Sequence, residues 1–597
     1  MKKLLYLLHV IFALLVLLAG CQRGPKIDQP EITTQELSKH IYFLASDSLK
    51  GRYPGTPEAD VAAAYIRDHF KKDGLTLLGD NGFDYFEVTV NVKAGPNNFL
   101  KINGQSLDRT NFTPMSFSAS DSATGEVVFA GYGFEISEDS LKWNDYAGLN
   151  VKGKWVLVLR GDPEPDDLRS PFAKYSKDRD KAMTAMDKGA SGILFVSGPS
   201  FDARDELDKL RKNVLPVSIP AFQITRKTAD TMLKGPGKKT AQLEHTLMKS
   251  RMPASFALPG THVNGQAEIL EEKVRTCNVV AKLEGTDPIL KDQYIVIGGH
   301  YDHLGMGGPN TGSRRPDTTA IHYGADDNAS GTASVIELAE KFAPLRDSIR
   351  RSIIFVAFGA EEMGLLGSKH LVNSNIIDLK QVDAMINIDM VGRLKSSGKL
   401  EIGGTGTSPI SDSLLKATPG ANLFKLAMSP EGYGPSDHAS FYGKEIPVFF
   451  FSTGSHLDYH TPFDTPDKIN YEGLKKVDEY IFNLAYELAN MNQRLTFRMA
   501  GPKEGSGMRR RGFKVTLGIM PDYAGEEKRG LRVDLVIPGR PAALAGMKNG
   551  DIITAVNGQK VKNIYDYMYR LVKLHHGETI TVEIIRNGEK KVLLVQL

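Results

Sequence analysis

The stretch from Gln293 to Gly331 constrains this chain more than any other. It opens on an apolar run, Tyr294-Ile295-Val296-Ile297, which reads as a buried strand. The run breaks at Gly298-Gly299 and then delivers His300, Tyr301, Asp302 and His303. After a glycine-rich loop come Gly324-Ala325-Asp326-Asp327-Asn328-Ala329-Ser330-Gly331 and a helical pattern that reaches Lys341. A strand that ends in histidine and carboxylate leads to a helix that opens on carboxylates. Open α/β sheets gather their ligands in that place, beyond the carboxyl ends of the strands.

The surrounding pattern agrees. From Val274 onward, apolar strands are expected at 278–283, 294–297, 352–358, 384–388 and 447–451. Helices are expected at 329–342, 367–372, 411–417 and 471–490. Continuous apolar strands alternating with helices imply an α/β fold with a mostly parallel sheet covered on both faces. Upstream, Thr34 is expected to cap a helix carrying Leu37, Ile41 and Leu44. A second helix is expected over 57–72, with Val61, Ala64, Tyr65 and Phe70 on one side and Gly74 as its stop.

At 597 residues the chain is too long for one core, so three or four domains are expected. A net charge of +3 argues neither for nor against nucleic acid, and with no basic stripe of interleaved aromatics no nucleic-acid partner is expected. Met1-Lys2-Lys3 and the apolar run 4–18 read as a secretory signal, and residues 21–33 as a polar tether. Leu18-Ala19-Gly20-Cys21 resembles a bacterial lipobox. The resemblance implies cleavage before Cys21, acylation of that residue, and a membrane anchor facing the periplasm or the cell surface. Cys277 is then left without an intramolecular partner.

Residues 100–265 change in character to short strands and turns, with strand-like segments at 125–133, 154–161 and 193–196 and a helix at 181–188. With Gly131-Tyr132-Gly133, Asn144-Asp145-Tyr146 and Gly189-Ala190, the segment resembles a protease-associated (PA) domain, β-rich and inserted between 34–99 and 266–493. It holds no ligand-type cluster. Residues 494–513 read as a linker with a run of three arginines, and 514–597 as a compact, β-rich tail. Leu517-Gly518-Ile519-Met520, Pro541-Ala542-Ala543-Leu544, Gly550-Asp551-Ile552-Ile553 and Val556-Asn557-Gly558 make it similar to the PDZ domains of bacterial proteases. The resemblance implies that backbone N–H groups at Leu517, Gly518 and Ile519 receive the carboxylate of a peptide C-terminus, while the peptide adds a strand.

The candidate chemistry lies at strand ends. His300 and Asp302 are two residues apart, so both side chains can point the same way, and Asp302 could hold the far ring nitrogen of a ligating histidine. Asp327 opens a helix. Glu361 and Glu362 follow the strand 352–358, and two adjacent carboxylates repel unless a cation is near. Asp389 ends the apolar strand 384–388, where an unpaired charge is costly. Tyr459 and His460 lie beyond the strand 447–451. Alone, each piece reads as structural. Together, ligand-type residues follow four expected strands or open the adjoining helix, and that convergence points to metal.

Five motifs carry a resemblance to the co-catalytic zinc exopeptidases of metallopeptidase family 28. They are Gly298-Gly299-His300-Tyr301-Asp302, the 324–331 segment, Gly359-Ala360-Glu361-Glu362-Met363-Gly364, Asn387-Ile388-Asp389-Met390 and Tyr459-His460-Thr461-Pro462. The resemblance implies two zinc ions per chain. One would be held by His300, Asp389 and one oxygen of Asp327, the other by Glu362, His460 and the second oxygen of Asp327. It further implies that Asp302 orients His300 and that Tyr459 hydrogen-bonds the developing oxyanion. Glu361 would act as general base on a metal-bridging hydroxide, and the Asp327–Asn328 peptide would be cis. Apart from the resemblance, His303, His322, Asp437 and His438 lie near the motifs and read as supporting or structural residues. The expected activity is hydrolysis of N-terminal residues from peptides. Three alternatives stand beside it: a carboxypeptidase using Arg314, Arg315 or Arg393, a single-zinc glutaminyl cyclase, and a non-catalytic peptide-binding receptor.

Overall fold

A computed structural model describes residues 31–500 and 515–597, apart from positions 139, 168, 169, 213, 215, 310, 522–526, 528 and 538. The signal sequence, Cys21 and most of the 21–33 tether therefore lie outside the described residues, as do the linker positions 501–513. Among the described residues no helix is long and apolar enough to cross a membrane.

Helix α1 (Thr34–Leu44) is capped by Thr33, whose hydroxyl accepts from Glu36 N. The cap is thus one residue earlier than the sequence suggests. Helix α2 (Pro57–Lys72) has Thr56 as cap and proline at its first position, a favourable start because that N–H has no helical partner. Its buried face is Ala59, Ala62, Ala63, Ile66 and Phe70. The expected stripe was misplaced there, for Val61 is 51% exposed. A small-residue face permits close approach to the sheet, and a periodicity reading that weights size overlooks it.

Among the described residues the largest sheet has nine strands. Labelled in chain order, those that matter are β1 (Phe83–Ala94), β2 (Ile269–Leu283), β3 (Tyr294–His300), β4 (Ser352–Phe358), β5 (Val382–Ile388) and β6 (Val448–Ser452). The order β4-β3-β5-β6 is parallel throughout. Antiparallel strands flank it: β2 on β4, β1 on β2, and Lys399–Gly403 on β6. The expected parallel sheet is therefore its centre rather than its whole. All seven residues of β4 and of β5 are buried, as required when helices cover both faces. Helices α1, α2, α3 (Gly331–Phe342) and α4 (Tyr471–Asn490) close one face. Leu371, Val372, Phe441 and Tyr442 close the other. The start of the expected linker also belongs to this domain: Arg494 donates to the carbonyls of Lys380 and Val382 at 2.9 and 2.7 Å, and Leu495 N to Asp383 Oδ1 at 2.7 Å.

A separate eight-stranded sheet runs from Phe99–Ile102 to Phe256–Gln266, with its own apolar core around Trp155, Leu157, Leu194 and Phe222. Its helix α5 (Asp178–Asp187) meets the C-terminal domain. Among its described residues that domain has a six-stranded sheet and a helix α6 (Ile564–Val572). Arg570 Nη2 donates to Asp187 Oδ1 at 2.8 Å, with a second contact from Nη1 to Oδ2. Arg179 Nη2 donates to Asp566 Oδ1 at 2.6 Å, and the Tyr569 and Thr184 hydroxyls lie 2.5 Å apart. All four charged side chains are at most 13% exposed. Breaking a buried pair by truncating one partner costs about 3–5 kcal/mol, and without Arg570 the Asp187 carboxylate would keep only the longer contact to Lys573 at 4.0 Å among the ion pairs described. Arg570→Ala is therefore expected to detach the C-terminal domain, read as a larger radius of gyration and faster proteolysis within 501–514. The double variant with Asp187→Ala should be less destabilised than the sum of the singles.

Candidate metal centre

The parallel register builds the site. Gly298 of β3 stands level with Asn387 of β5, so two residues further on His300 is level with Asp389. On the other side His300 pairs with Phe358, and the chain then turns through Gly359-Ala360 to Glu361 and Glu362. Helix α3 approaches so closely that a Cβ on Gly331 would lie 2.3 Å from Ile388 O, and one on Gly299 2.6 Å from the same atom. Glycine is required at both places. The bridging segment 325–330 is thereby pressed against the ends of β3 and β5, and its Asp327–Asn328 peptide is cis.

Side chains from these ends converge. His300 Nε2 lies 3.3 Å from Asp327 Oδ1 and 3.5 Å from Asp389 Oδ1. His460 Nε2 lies 3.1 Å from Asp327 Oδ2 and 3.0 Å from Glu362 Oε2. Donors bound tetrahedrally at about 2.0–2.1 Å are separated by about 3.3 Å. Asp327 Oδ2 and Asp389 Oδ1 are buried yet have no hydrogen-bond partner, although imidazole nitrogens stand close by. Atoms aimed at a common point rather than at each other show this pattern, and they fit a metal ion. Burial lowers the basicity of His460, but Asp327 and Glu362 outweigh it and push its pKa up to about 10. The pocket holds positive charge.

The orientation of each ligand has an identifiable cause. His460 Nδ1 is 3.1 Å from Gly312 O, which turns Nε2 inward. Ser436 donates to Asp389 Oδ2 at 2.7 Å, leaving Oδ1 for a metal. Asp464 Oδ2 accepts from the backbone N–H groups of Asp326 and Asp327 at 2.9 and 3.0 Å. The carboxylate of Asp326 is itself held by Gly392 N at 2.6 Å and His456 Nε2 at 3.1 Å. Ala360, Met390 and His460, all at the site, have φ between 56° and 58°. For residues with a side chain this left-handed backbone costs about 1–2 kcal/mol each, and such strain gathers at functional sites.

One expectation needs correction. The Asp302 carboxylate stands 3.8 Å from His300 Nδ1, whose nearer partner is the Asp302 backbone oxygen at 3.2 Å. The carboxylate instead accepts from the N–H groups of Glu361 and Glu362 at 2.9 and 3.3 Å. Asp302 thus aims the Glu361-Glu362 pair, a task that only the pairing of β3 with β4 reveals. His303 is more directly engaged than its sequence position suggests. Its Nδ1 lies 2.7 Å from Glu362 Oε1, and with Asp327 and Glu362 it forms a group whose ligand atoms all fall within 4.8 Å of one another. The second such group is His300, Asp327 and Asp389. His322 Nε2 lies 2.7 Å from the Ser313 hydroxyl. Asp437 is fully buried, with both oxygens unpartnered, and burial raises its pKa to about 7. His438 stacks on Phe450.

Glu361 remains off the ligand set. Its Oε2 is 3.9 Å from His300 Nε2, and burial raises its proton affinity well above that of an ordinary carboxylate. Tyr459 stacks on His460 at 3.8 Å between ring centroids, and burial with the surrounding carboxylates keeps its phenol protonated.

Residues 278–485 match the model of peptidase family M28. Over that span the chain is similar to that family. Residues 123–232 match the PA domain and 515–597 the PDZ domain. Among curated relatives, a probable glutamate carboxypeptidase of Arabidopsis thaliana is 26% identical over 68% of this chain and 56% of its own length. Leucine aminopeptidase 1 of Ajellomyces dermatitidis is 28% identical over 41% of this chain and 63% of its own. The chain therefore spans less than two thirds of these relatives. Aminopeptidase YwaD of Bacillus subtilis is 31% identical over 29% of this chain and 39% of its own. A solved aminopeptidase from Aneurinibacillus sp. strain AM-1 is 23% identical, covers 78% of this chain and 95% of its own, and superposes with a TM-score of 0.44.

Proposed function

We propose that this chain is a zinc aminopeptidase that binds two zinc ions and removes N-terminal residues from peptides. We further propose that it works outside the cytoplasm of a bacterium, anchored through acylated Cys21. The observation that carries the reading is the pairing of two three-donor groups on a shared Asp327 with a separate carboxylate, Glu361, beside them. His300 and Asp389 would hold one ion, Glu362 and His460 the other. Zinc bound there supplies Lewis acidity, which lowers the pKa of water toward neutrality and polarises a carbonyl.

The remaining steps fall to the chain itself. Glu361 takes a proton from the attacking water and passes it to the leaving amine, which requires a base of raised proton affinity free of the metals. Asp302 fixes that base by gripping its backbone N–H. The neutral Tyr459 phenol can donate to a developing oxyanion. The surplus of carboxylates favours a free substrate α-ammonium. A carboxypeptidase would need a cation for the terminal carboxylate, and Arg393 is already paired with Asp458 at 3.0 Å and Asp464 at 3.4 Å.

Metal content measured alongside a panel of free and N-acetylated peptides tests this. About two zinc ions and loss of turnover on acetylation support the aminopeptidase reading. Acetylated peptides cut from their C-termini would move the assignment to carboxypeptidase, and no metal with no turnover would end it. For the anchor, Cys21→Ala should move the chain from the membrane to the soluble fraction. At the PDZ loop Gly518 N already donates to Thr516 Oγ1 at 3.1 Å. A peptide C-terminus bound there must displace that hydroxyl, so Thr516→Val should tighten binding of C-terminal peptides.

A further inference from the structure

Arg52 has no part in the sequence motifs of the site, yet its side chain is fully buried directly behind it. Its guanidinium spends its donors on backbone carbonyls from three segments. Nε donates to Tyr301 O at 2.7 Å, Nη1 to Tyr323 O at 2.9 Å and to Leu44 O, and Nη2 to Gly324 O at 3.0 Å. Tyr301 lies between His300 and Asp302. Tyr323 and Gly324 open the segment that carries Asp326 and Asp327. The backbone around Arg52 makes the same connection, since Gly51 O accepts from Gly305 N at 3.1 Å and a Cβ on Gly51 would lie 2.4 Å from His322 O. Arg52 itself adopts φ 50°, the strained left-handed region. Its charge sits in the field of Asp302, Asp327, Asp464 and Glu362 without an ion pair to any of them.

A buried cation that contacts only carbonyls costs free energy unless its surroundings are negative, and here the carboxylates at and around the candidate ligand set are those surroundings. A planar fork of five donors can clamp several carbonyls at fixed angles, whereas an ammonium cannot. We propose that Arg52 is a positioning residue of the metal centre, setting the separation between the His300–Asp302 segment and the Asp327 segment and so the spacing of the ligand atoms. This rests on the metallopeptidase reading above.

The test compares wild type, Arg52→Lys and Arg52→Met in the full soluble chain. The measurements are zinc affinity by chelator competition, the visible spectrum after cobalt substitution, kcat and KM separately, and thermal unfolding. Groups that orient ligands typically contribute about 10–100-fold in metal affinity or activity. Arg52→Met is expected to lose about that much in zinc affinity and kcat with KM little changed, and to show an altered cobalt spectrum. Arg52→Lys should also fall short of wild type and shift the spectrum, because it keeps the charge but not the fork. Should Arg52→Met fail to fold, Arg52→Lys decides alone. Wild-type affinity, spectrum and kcat in Arg52→Lys would overturn the proposal, since charge by itself would then suffice. Indifferent Arg52 variants of an active, metal-loaded wild type would sink the brace and spare the peptidase reading. A wild type without metal or turnover would sink both.

Discussion

Glu361→Gln is expected to lower kcat by about 10²–10⁴-fold, the usual contribution of a positioned general base, while metal content and KM stay near wild type. Glu361 donates no atom to either three-donor group, and its backbone is held by Asp302. The amide keeps the shape and the N–H contact but cannot accept a proton. Metal analysis together with single-turnover kinetics checks this. Loss of zinc from the variant would instead place Glu361 among the ligands. Asp302→Asn is the companion test of the corrected role. An amide can still accept from one N–H but presents an NH₂ to the other, so kcat should fall with metal content largely kept. Were Asp302 to act through His300, metal affinity would fall first.

Asp327→Ala is expected to abolish activity and to remove both ions. Each three-donor group loses one oxygen, since Oδ1 faces His300 and Oδ2 faces His460. One side is left with His300 and Asp389, fewer protein donors than zinc sites normally use, and the other with Glu362 and His460 beside His303, whose Nδ1 is already engaged with Glu362 Oε1 at 2.7 Å. A ligand that binds the folded state stabilises it by mass action. Chelator should therefore lower the melting temperature of wild type and leave that of Asp327→Ala unchanged. A variant that still holds one ion would show that the two groups bind independently.

Much of this was legible in the chain itself. Buried parallel strands are continuous apolar runs whose ends are marked by glycine or polar residues. The expected strands 352–358 and 384–388 therefore stand out locally, together with the carboxylates at their carboxyl ends, and the structure starts the second two residues earlier, at Val382. The helix Tyr471–Asn490 is equally plain, because its buried residues recur at helical spacing. Less legible was the face of α2, where alanines rather than large side chains make the contact.

The sequence by itself determined the domain classes, the strand-and-helix alternation, and the identity of His300, Asp327, Glu361, Glu362, Asp389 and His460 as one chemical set. The alternation rests on residue type and short-range periodicity, which need no partner to be read, while the domain classes and the grouping of the six residues rest on short motifs that resemble known families. The tertiary structure alone decided everything that depends on register and on contacts between distant segments. It moved the Asp302 carboxylate from His300 to the Glu361-Glu362 backbone, through the pairing of β3 with β4. It brought Arg52 to Tyr301, 249 positions away, and Arg570 to Asp187, 383 positions away. A hydrogen bond is made at about 3 Å in space whatever the separation along the chain. Such partners leave no periodic trace in the sequence, and only the folded chain identifies them.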